Sequence, residues 1–222
     1  MAVASSDPAL AALAPLTVLD HPVVADRLVH LRDRATDNAT FRRLTAEIAA
    51  LVAYEALRDL ETEPTTVSTP VAAVAPGRRI SETPLLVPVL RAGLGMVPAI
   101  TAMLPPVEVA HVGLRRDEAT LHSTMYLDAL PRSLAGRRVV VCDPMLATGG
   151  TLVKVCDVVV VRGAAAVVVL CLLASLPGLR RFRAAHPGVP VACAAVDPAL
   201  DENGYIVPGL GDAGDRLFGP PA

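Results

Sequence analysis

Short apolar runs alternate with amphipathic stretches along most of this chain. The runs Leu85–Leu90, Arg138–Cys142 and Ala165–Leu173 are rich in Val and Leu, which is typical of strands buried in a parallel sheet. Val23–Arg34 and Phe41–Leu60 instead place their apolar residues at helical spacing. Strands that alternate with helices predict an α/β fold, with a mostly parallel twisted sheet flanked by helices.

The other predicted elements are shorter or interrupted. The further strands are predicted over Val107–Gly113 and Val189–Val196. Three further helices are predicted: one that follows the Arg91–Gly95 loop and ends at about Leu104, one over Leu152–Val161, and one near Gly178–Ala185. A strand over Thr66–Ala75 contains a proline and is therefore expected at a sheet edge. Asn38 or Thr40 is expected to cap the second helix. Arg115–Pro131 is polar and irregular, which predicts a mobile loop.

Length and composition narrow the class of protein. The chain has 222 residues, which suggests a single domain over residues 17–222 after a flexible N-terminal tail over residues 1–16. That tail lacks the basic start and long apolar core of a signal peptide. The most apolar stretch, Val158–Leu176, is interrupted by Arg162 and Gly163 and is too short for a membrane span. We therefore expect no membrane partner.

Charge and cysteine content argue against two further classes. The formal net charge is −2, and a nucleic-acid-binding protein usually shows a basic excess or a basic face. The four cysteines are scattered through apolar sequence without a C-x-x-C pair, so they are interpreted as small buried side chains rather than a disulfide frame or zinc site. A cytoplasmic enzyme that binds no nucleic acid is the simplest expectation.

The segment Val139–Thr151, VVVCDPMLATGGT, joins a buried strand, an acid, a glycine turn and the start of a helix. Gly149 and Gly150 lack a Cβ atom, so their backbone can approach a ligand closely. Free N–H groups and the helix dipole favour an anion at the start of the next helix. Thr148 and Thr151 add hydroxyl donors. The order of these residues predicts a cradle for a phosphorylated sugar, with the acid near the sugar hydroxyls.

This segment resembles the phosphoribosyl-pyrophosphate (PRPP) fingerprint of the type I phosphoribosyltransferases. Many members carry two adjacent acids where this chain has Asp143 and Pro144, and the D-P form resembles the uracil phosphoribosyltransferases in particular. The resemblance covers roughly residues 17–219. Further motifs agree in order and spacing, namely HPVVADRL (21–28), YEALRDLETE (54–63), VPVLRAGLGM (87–96), RDEAT (116–120) and GYIVPGLGDAGDRLFG (204–219).

The resemblance implies transfer of the 5-phosphoribosyl group from PRPP to N1 of uracil, which gives UMP and pyrophosphate. The catalytic residues it implies are Asp143, Arg116 and Asp212. The PRPP-binding residues it implies are Arg91, Arg116, Asp143, Pro144, Met145, Leu146, Ala147, Thr148, Gly149, Gly150, Thr151 and Asp212. The C-terminal base-binding segment would hold uracil through Ile206, Gly211, Asp212 and Ala213.

Elementary chemistry supports several of these roles. The Asp143 carboxylate can accept hydrogen bonds from both ribose hydroxyls and favour positive charge at C1′. The Arg91 guanidinium presents a planar fork to phosphate oxygens, and Gly93 and Gly95 beside it are expected to let a ligand approach. By resemblance, Arg116 reaches the leaving pyrophosphate when the mobile loop closes and excludes water.

Cofactor and partner expectations follow from the same resemblance. Mg²⁺ is expected to be held mainly by PRPP and water, without a metal site of protein ligands. A homo-oligomer, dimer or larger, is expected. GTP activates some relatives, and the sequence leaves open whether it is an effector here. His111, His122 and His186 show no metal-ligand spacing and are assigned no role.

The chain departs from the family pattern at two positions, and two alternative functions are open. Arg115 stands where the family usually has an aromatic or apolar residue, and Ala119 where it has Glu. One rival is a phosphoribosyltransferase for another base, such as a purine or orotate. The other is a PRPP-binding regulatory protein of the same fold that binds RNA, which the acidic isoelectric point disfavours.

Overall fold

The computed structural model describes residues 8–116 and 123–220. The helices are α1 Pro8–Ala11, α2 Pro22–Arg32, α3 Asn38–Ala56, α4 Val97–Met103, α5 Gly150–Val161, α6 Leu176–Ala185 and α7 Ala213–Phe218. The first strands are β1 Leu16–Val18, β2 Thr62–Thr69, β3 Ala72–Ile80, β4 Leu85–Leu90, β5 Glu108–Val109, β6 Val112–Arg116 and β7 Ser123–Asp128. They are followed by β8 Arg138–Cys142, β9 Met145–Leu146, β10 Ala166–Leu170, β11 Leu173–Ser175, β12 Val191–Cys193, β13 Ala195–Asp197, β14 Ala199–Leu200 and β15 Ile206–Val207.

An eight-stranded sheet forms the centre of the fold. Its order is β1-β12-β10-β8-β4-β6-β7, and β5 pairs with β4. Every strand pair in it is parallel except β6 with β7. Val140 of β8 lies between Val168 of β10 and Leu86 of β4. The predicted α/β fold with a mostly parallel sheet is confirmed.

Two apolar layers cover the faces of this sheet. Val140 and Cys142 point into a layer shared with α2, α3, α4 and α7, whereas Val139 and Val141 point into a layer shared with α5 and α6. The alternation follows from the two-residue period of a strand. Because both faces are covered, β8 is apolar at four consecutive positions, as the sequence pattern indicates.

All four cysteines are buried and free. Burial disfavours the thiolate, and it raises the pKa of Cys156 and of Cys193 to about 12. The pKa values of Cys142 and Cys171 are raised by the same cause. The interpretation of these residues as small buried side chains is confirmed.

Several predicted boundaries were wrong. The strand expected over Thr66–Ala75 is two antiparallel strands, because Pro70 lies in the turn between β2 and β3 rather than inside a strand. The cap of α3 is Asp37, whose side chain accepts a hydrogen bond from Thr40 N at 2.9 Å. Asn38 and Thr40 are therefore inside the helix, not caps. The helix α5 extends to Val161, as predicted, despite its β-branched end.

The two segments predicted to be irregular also differ from expectation. Arg115 and Arg116 belong to β6, and Ser123–Asp128 forms β7, so much of the segment Arg115–Pro131 is a strand pair. Residues 117–122 lie outside the described part. In the predicted N-terminal tail, α1 forms, Leu13 is 7% exposed, and β1 adds a strand to the sheet from Leu16. No helix among residues 8–116 and 123–220 is long and apolar enough to cross a membrane.

Candidate active site

A second, smaller sheet forms where the central strands end. Strands β8, β10 and β12 are followed by β9, β11 and β13, which pair in parallel in the order β13-β11-β9. Leu173 of β11 pairs with both Met145 and Ala195. This small sheet sets the positions of three loops at the carboxyl edge, where ligands bind in open α/β sheets.

The fingerprint loop follows β9 and ends at α5. The Asp143 carboxylate oxygen Oδ1 lies 3.3 Å from Met145 N, so the acid is held at the carboxyl end of the strand. Gly149 has φ +76°, a left-handed backbone conformation that residues other than glycine rarely adopt, and α5 begins at the next residue. The local motif thus folds as strand, acid, turn and helix, in the predicted order.

Helix α6 supports the fingerprint loop from behind. Ser175 Oγ donates a hydrogen bond to the Ala147 carbonyl at 2.6 Å and accepts one from Gly178 N at 2.9 Å. A Cβ atom on Gly178 would lie 2.0 Å from the Ala147 oxygen. Sequence reasoning missed Ser175 and Gly178, although a serine followed by Leu-Pro-Gly at a helix start is a recognisable cap signal.

The C-terminal segment forms a hairpin and a short helix. Strands β14 and β15 pair antiparallel and bring Ile206 to the buried side. Gly209 and Gly211 have φ +57° and +81°. The Asp212 carboxylate caps α7 by accepting a hydrogen bond from Asp215 N at 2.9 Å. The turn between hairpin and helix therefore has a defined backbone.

One cavity of about 700 Å³ lies between these two segments. From the fingerprint side, its lining includes Asp143, Met145, Leu146, Ala147, Thr148, Gly149 and Thr151. From the C-terminal side, it includes Ile206, Gly211, Asp212 and Ala213, together with Glu202 and Tyr205 of the hairpin. Residues predicted for the sugar phosphate and for the base thus share a cavity, while Pro144, Gly150 and Arg91 are not among its lining residues.

Arg91 lies next to this cavity, since its neighbour Ala92 is part of the lining. Its guanidinium is 3.1 Å from the Asp215 carboxylate, and 46% of the Arg91 side chain is exposed. The ligand approach expected at Gly93 and Gly95 stays a prediction, and the structure gives both glycines a packing role as well. A Cβ atom on Gly93 would lie 2.5 Å from the Cys142 oxygen, and one on Gly95 would lie 2.7 Å from Leu217. Both glycines therefore allow close interior packing at these positions.

The residues predicted for loop closure are only partly described. Arg116 ends β6, and its side chain lies outside the described part, as do Asp117, Glu118, Ala119 and His122. Arg115 is exposed in the same strand. His186 Nε2 lies 3.1 Å from the Asp157 carboxylate of α5, and neither residue is among those that line the cavity. Within the described ranges, no group of three or more His, Cys, Asp or Glu side chains could hold a metal ion.

Asp197 is an acid that sequence reasoning did not single out. It is the last residue of β13, at the same edge, and is buried. Both of its carboxylate oxygens lie 2.7 Å from Arg32, at the end of α2. No local pattern pairs these residues, which are 165 positions apart in the chain.

The backbone of the C-terminal segment has few unused polar groups. The Gly209 N–H donates to Asp197, its carbonyl accepts from Arg32, and the Leu210 carbonyl accepts from Arg216. Across the described ranges, no hydrogen bond involves the N–H or carbonyl of Gly211, or the N–H of Ala213. These groups lie at the cavity, where they can bind one edge of a planar ring.

Comparison with known proteins agrees with this geometry. A model of the uracil phosphoribosyltransferase family matches residues 18–220. The chain is 55% identical over 207 residues to a uracil phosphoribosyltransferase of Kineococcus radiotolerans, and the aligned region covers 92% of this chain and 98% of that protein. It is 52% identical over 205 residues to one of Beutenbergia cavernae, covering 91% and 97%. Among solved structures, the AQ2163 protein of Aquifex aeolicus is 34% identical with a TM-score of 0.85, covering 92% of this chain and 98% of that one.

Proposed function

The chain belongs to the uracil phosphoribosyltransferase family, and from this membership we propose that it transfers the 5-phosphoribosyl group from PRPP to N1 of uracil. The products are UMP and pyrophosphate, and the reaction is one of pyrimidine salvage. The observation that carries the proposal is the single cavity shared by the fingerprint loop and the C-terminal segment. One nucleotide can therefore contact both segments within one protomer.

The fingerprint loop binds the sugar phosphate in this proposal. Thr148, Gly149 and Thr151 line the cavity at the start of α5, where backbone N–H groups and the helix dipole favour an anion. The dipole contributes only about 0.3–1 kcal/mol at an exposed site, so several hydrogen bonds to the dianion supply most of the affinity. The Asp143 carboxylate, beside the loop, accepts hydrogen bonds from the ribose hydroxyls. The other residues of the proposed PRPP-binding segment are Pro144, Met145, Leu146, Ala147 and Gly150.

The C-terminal segment selects the base. Ile206 supplies an apolar wall, and the Gly211 peptide supplies a donor and an acceptor at the cavity. Uracil presents an N–H between two carbonyl groups, which matches a paired acceptor and donor. Cytosine replaces one carbonyl by an amine, which would leave a buried polar group without a partner. A site built on such hydrogen bonds can discriminate by about 10⁴-fold or more.

The reaction breaks the bond from C1′ to the pyrophosphate oxygen and forms the bond from C1′ to uracil N1, which loses its proton. Positive charge develops on the sugar as the first bond loosens, and the Asp143 carboxylate stabilises it. Arg91 and Arg116 bind the departing pyrophosphate. The Arg91 guanidinium then contacts both the pyrophosphate and the Asp215 carboxylate. Asp212 orients PRPP from the opposite side. Positioning of the two reactants supplies much of the remaining rate increase.

Mg²⁺ is the proposed cofactor, and the donor set of the cavity fits it. Three carboxylates, Asp143, Glu202 and Asp212, line the cavity, and oxygen donors are the ligands that Mg²⁺ prefers. They do not form a closed protein site, which suits an ion held mainly by PRPP oxygens and water. When bound, the ion neutralises pyrophosphate charge.

We also propose a compartment and an oligomeric state for the enzyme. The buried free thiols support a cytoplasmic enzyme, because that compartment keeps thiols reduced. A homo-oligomer is supported by the apolar tip of the β2–β3 hairpin, where Val71 is 95% exposed. The proposal includes no nucleic-acid or membrane partner. An effector role of GTP stays a prediction from the resemblance.

The test is turnover with labelled uracil. The protein is incubated with radiolabelled uracil, PRPP and Mg²⁺, and UMP is separated from uracil. We expect UMP to form, with unlabelled cytosine, hypoxanthine and orotate competing poorly. UMP formation that orotate or a purine suppresses would move the assignment to another base. No nucleotide product, together with salt-dependent RNA binding at nanomolar protein, would support the regulatory alternative.

A further inference from the structure

A buried ion pair connects helix α2 to the C-terminal segment. Arg32, the last residue of α2, donates from both Nη atoms to the two carboxylate oxygens of Asp197, each at 2.7 Å. The side chains of Arg32 and Asp197 are 24% and 7% exposed. The contact is therefore a two-bond fork in a largely water-free environment, the geometry that fixes relative position best.

The same pair holds both peptide units that flank Gly209 in the C-terminal segment. Gly209 N donates to Asp197 Oδ2 at 3.0 Å, and the Gly209 carbonyl accepts from Arg32 Nη1 at 2.9 Å. Gly209 itself is tightly enclosed, since a Cβ atom there would lie 2.0 Å from the Ile206 oxygen. Asp197 thus sets the orientation of the peptide unit before Gly209, and Arg32 sets that of the unit after it.

A second arginine extends the attachment by one residue. Arg216 Nη1 donates to the Leu210 carbonyl at 3.0 Å and to the Leu31 carbonyl at 2.7 Å, and Nη2 donates to the Asp33 carbonyl. Two consecutive carbonyls, those of Gly209 and Leu210, are therefore bound to guanidinium groups at the end of α2. The next residue, Gly211, is the one whose N–H and carbonyl are available to the base, and its N–H belongs to the same peptide unit as the Leu210 carbonyl that Arg216 holds.

We propose that Arg32 is a positioning residue for uracil recognition, which acts through Asp197 and Gly209 on the Gly211 peptide. The inference rests on the proposed function of this cavity. A buried ion pair is a weak source of stability, because desolvation offsets much of its Coulomb energy, so a structural role alone does not explain its use here. Ser175 pairs with Asp197 between β11 and β13, but the bonds that hold the fingerprint loop run from Ser175 to Ala147 and Gly178, and those of Arg32 run to Asp197 and Gly209. We therefore expect Arg32 to act more strongly on the base than on PRPP.

The first test replaces Arg32 by Lys, which keeps the charge but loses the planar fork. We expect the KM for uracil to rise about tenfold, the effect of one lost hydrogen bond of about 1.4 kcal/mol. The KM for PRPP should change less than about twofold, because the fingerprint loop keeps its own contacts. Discrimination against cytosine should fall, because the displacement is centred on Gly211.

Arg183→Lys is the matched control. Arg183 is also part-buried, and its guanidinium donates to five carbonyls, those of Leu13, Pro15, His186, Pro187 and Val189. Its replacement should lower the melting temperature and leave the KM for uracil unchanged. A rise in the uracil KM of Arg183→Lys equal to that of Arg32→Lys would overturn the proposal, since both changes would then act through general destabilisation.

The double variant Arg32→Met with Asp197→Leu separates position from stability. Replacing a buried ion pair by apolar side chains is often neutral or stabilising, so this variant should fold. The Gly209 N–H and carbonyl lose their partners in this variant, so we expect a melting temperature lowered to a similar extent as that of Arg183→Lys, together with a raised KM for uracil that Arg183→Lys does not show. A wild-type KM for uracil in this variant would refute the role of Arg32. Absence of uracil turnover in the unmodified enzyme would instead refute the proposed function, so the two failures are distinguishable.

Discussion

Gly178 offers the sharpest test of how the fingerprint loop is held. A Cβ atom at this position would lie 2.0 Å from the Ala147 oxygen, 2.9 Å from the Ala147 carbonyl carbon and 2.9 Å from Leu146 Cδ2. The first contact is to backbone, which cannot rotate away as a flexible side chain can. Carbon atoms of real side chains essentially never approach closer than 3.0 Å, so Gly178→Ala requires a shift of at least about 1 Å between the loop and α6.

The size of the effect follows from that shift. Overpacking of this kind typically costs about 1–3 kcal/mol of stability. A displacement of about 1 Å in a substrate-positioning group can cost about 10²-fold in rate. Because the displaced atoms belong to the loop that binds the sugar phosphate, we expect kcat/KM for PRPP to fall about 10²-fold, with a smaller change in the KM for uracil.

The assay compares Gly178→Ala with Gly188→Ala. A Cβ atom on Gly188 would meet nothing within 4 Å, so this control makes the same chemical change in open space. Initial rates are measured at varied PRPP and saturating uracil, and stability is measured by urea unfolding. If Gly178→Ala keeps the stability and PRPP kinetics of Gly188→Ala, the proposed support of the loop by α6 is wrong.

Three further changes test other parts of the account. Asp143→Asn should lower kcat/KM by about 10²–10³-fold in steady-state kinetics, because the charge at C1′ loses its carboxylate, while the urea midpoint stays near wild type; near-normal turnover would remove Asp143 from the mechanism. Gly211→Val places a branched side chain at φ +81° beside the cavity and should abolish uracil binding in calorimetry while PRPP binding persists; loss of PRPP binding alone would contradict the base assignment. The pKa of the Cys156 thiol is raised from 9.0 to about 12, so above pH 9 the unfolded chain loses a proton that the folded chain keeps, and stability falls as pH rises. Between pH 7.5 and 10 the wild type should therefore lose about 1.4 kcal/mol more in urea unfolding than Cys156→Ala, and equal losses would count against burial of a neutral thiol.

The features that could be predicted from the sequence depend on residues that are close together along the chain. The strand, acid, turn and helix around Asp143 follow one another along the chain, so their order determines their geometry. The short valine-rich runs likewise identify β4 and β8 to the residue. Where a pattern is local, the backbone preferences of a few residues determine the structure.

The features that could not be predicted depend on contacts between distant segments. Arg32 and Asp197 form one ion pair although nothing in either local sequence marks the other. Gly93 is a second example, because the sequence places it beside Arg91 but does not indicate that its neighbour in space is the Cys142 oxygen. The packing partner of a glycine is known only once the fold is known.

The central claim is that a single nucleotide occupies both segments of one cavity. The most direct measurement is a crystal structure of the protein grown with UMP. The account predicts the phosphate against Thr148 and Thr151 and the pyrimidine edge against the Gly211 peptide, within one protomer. A phosphate at the fingerprint loop with the base directed away from Gly211 would contradict it.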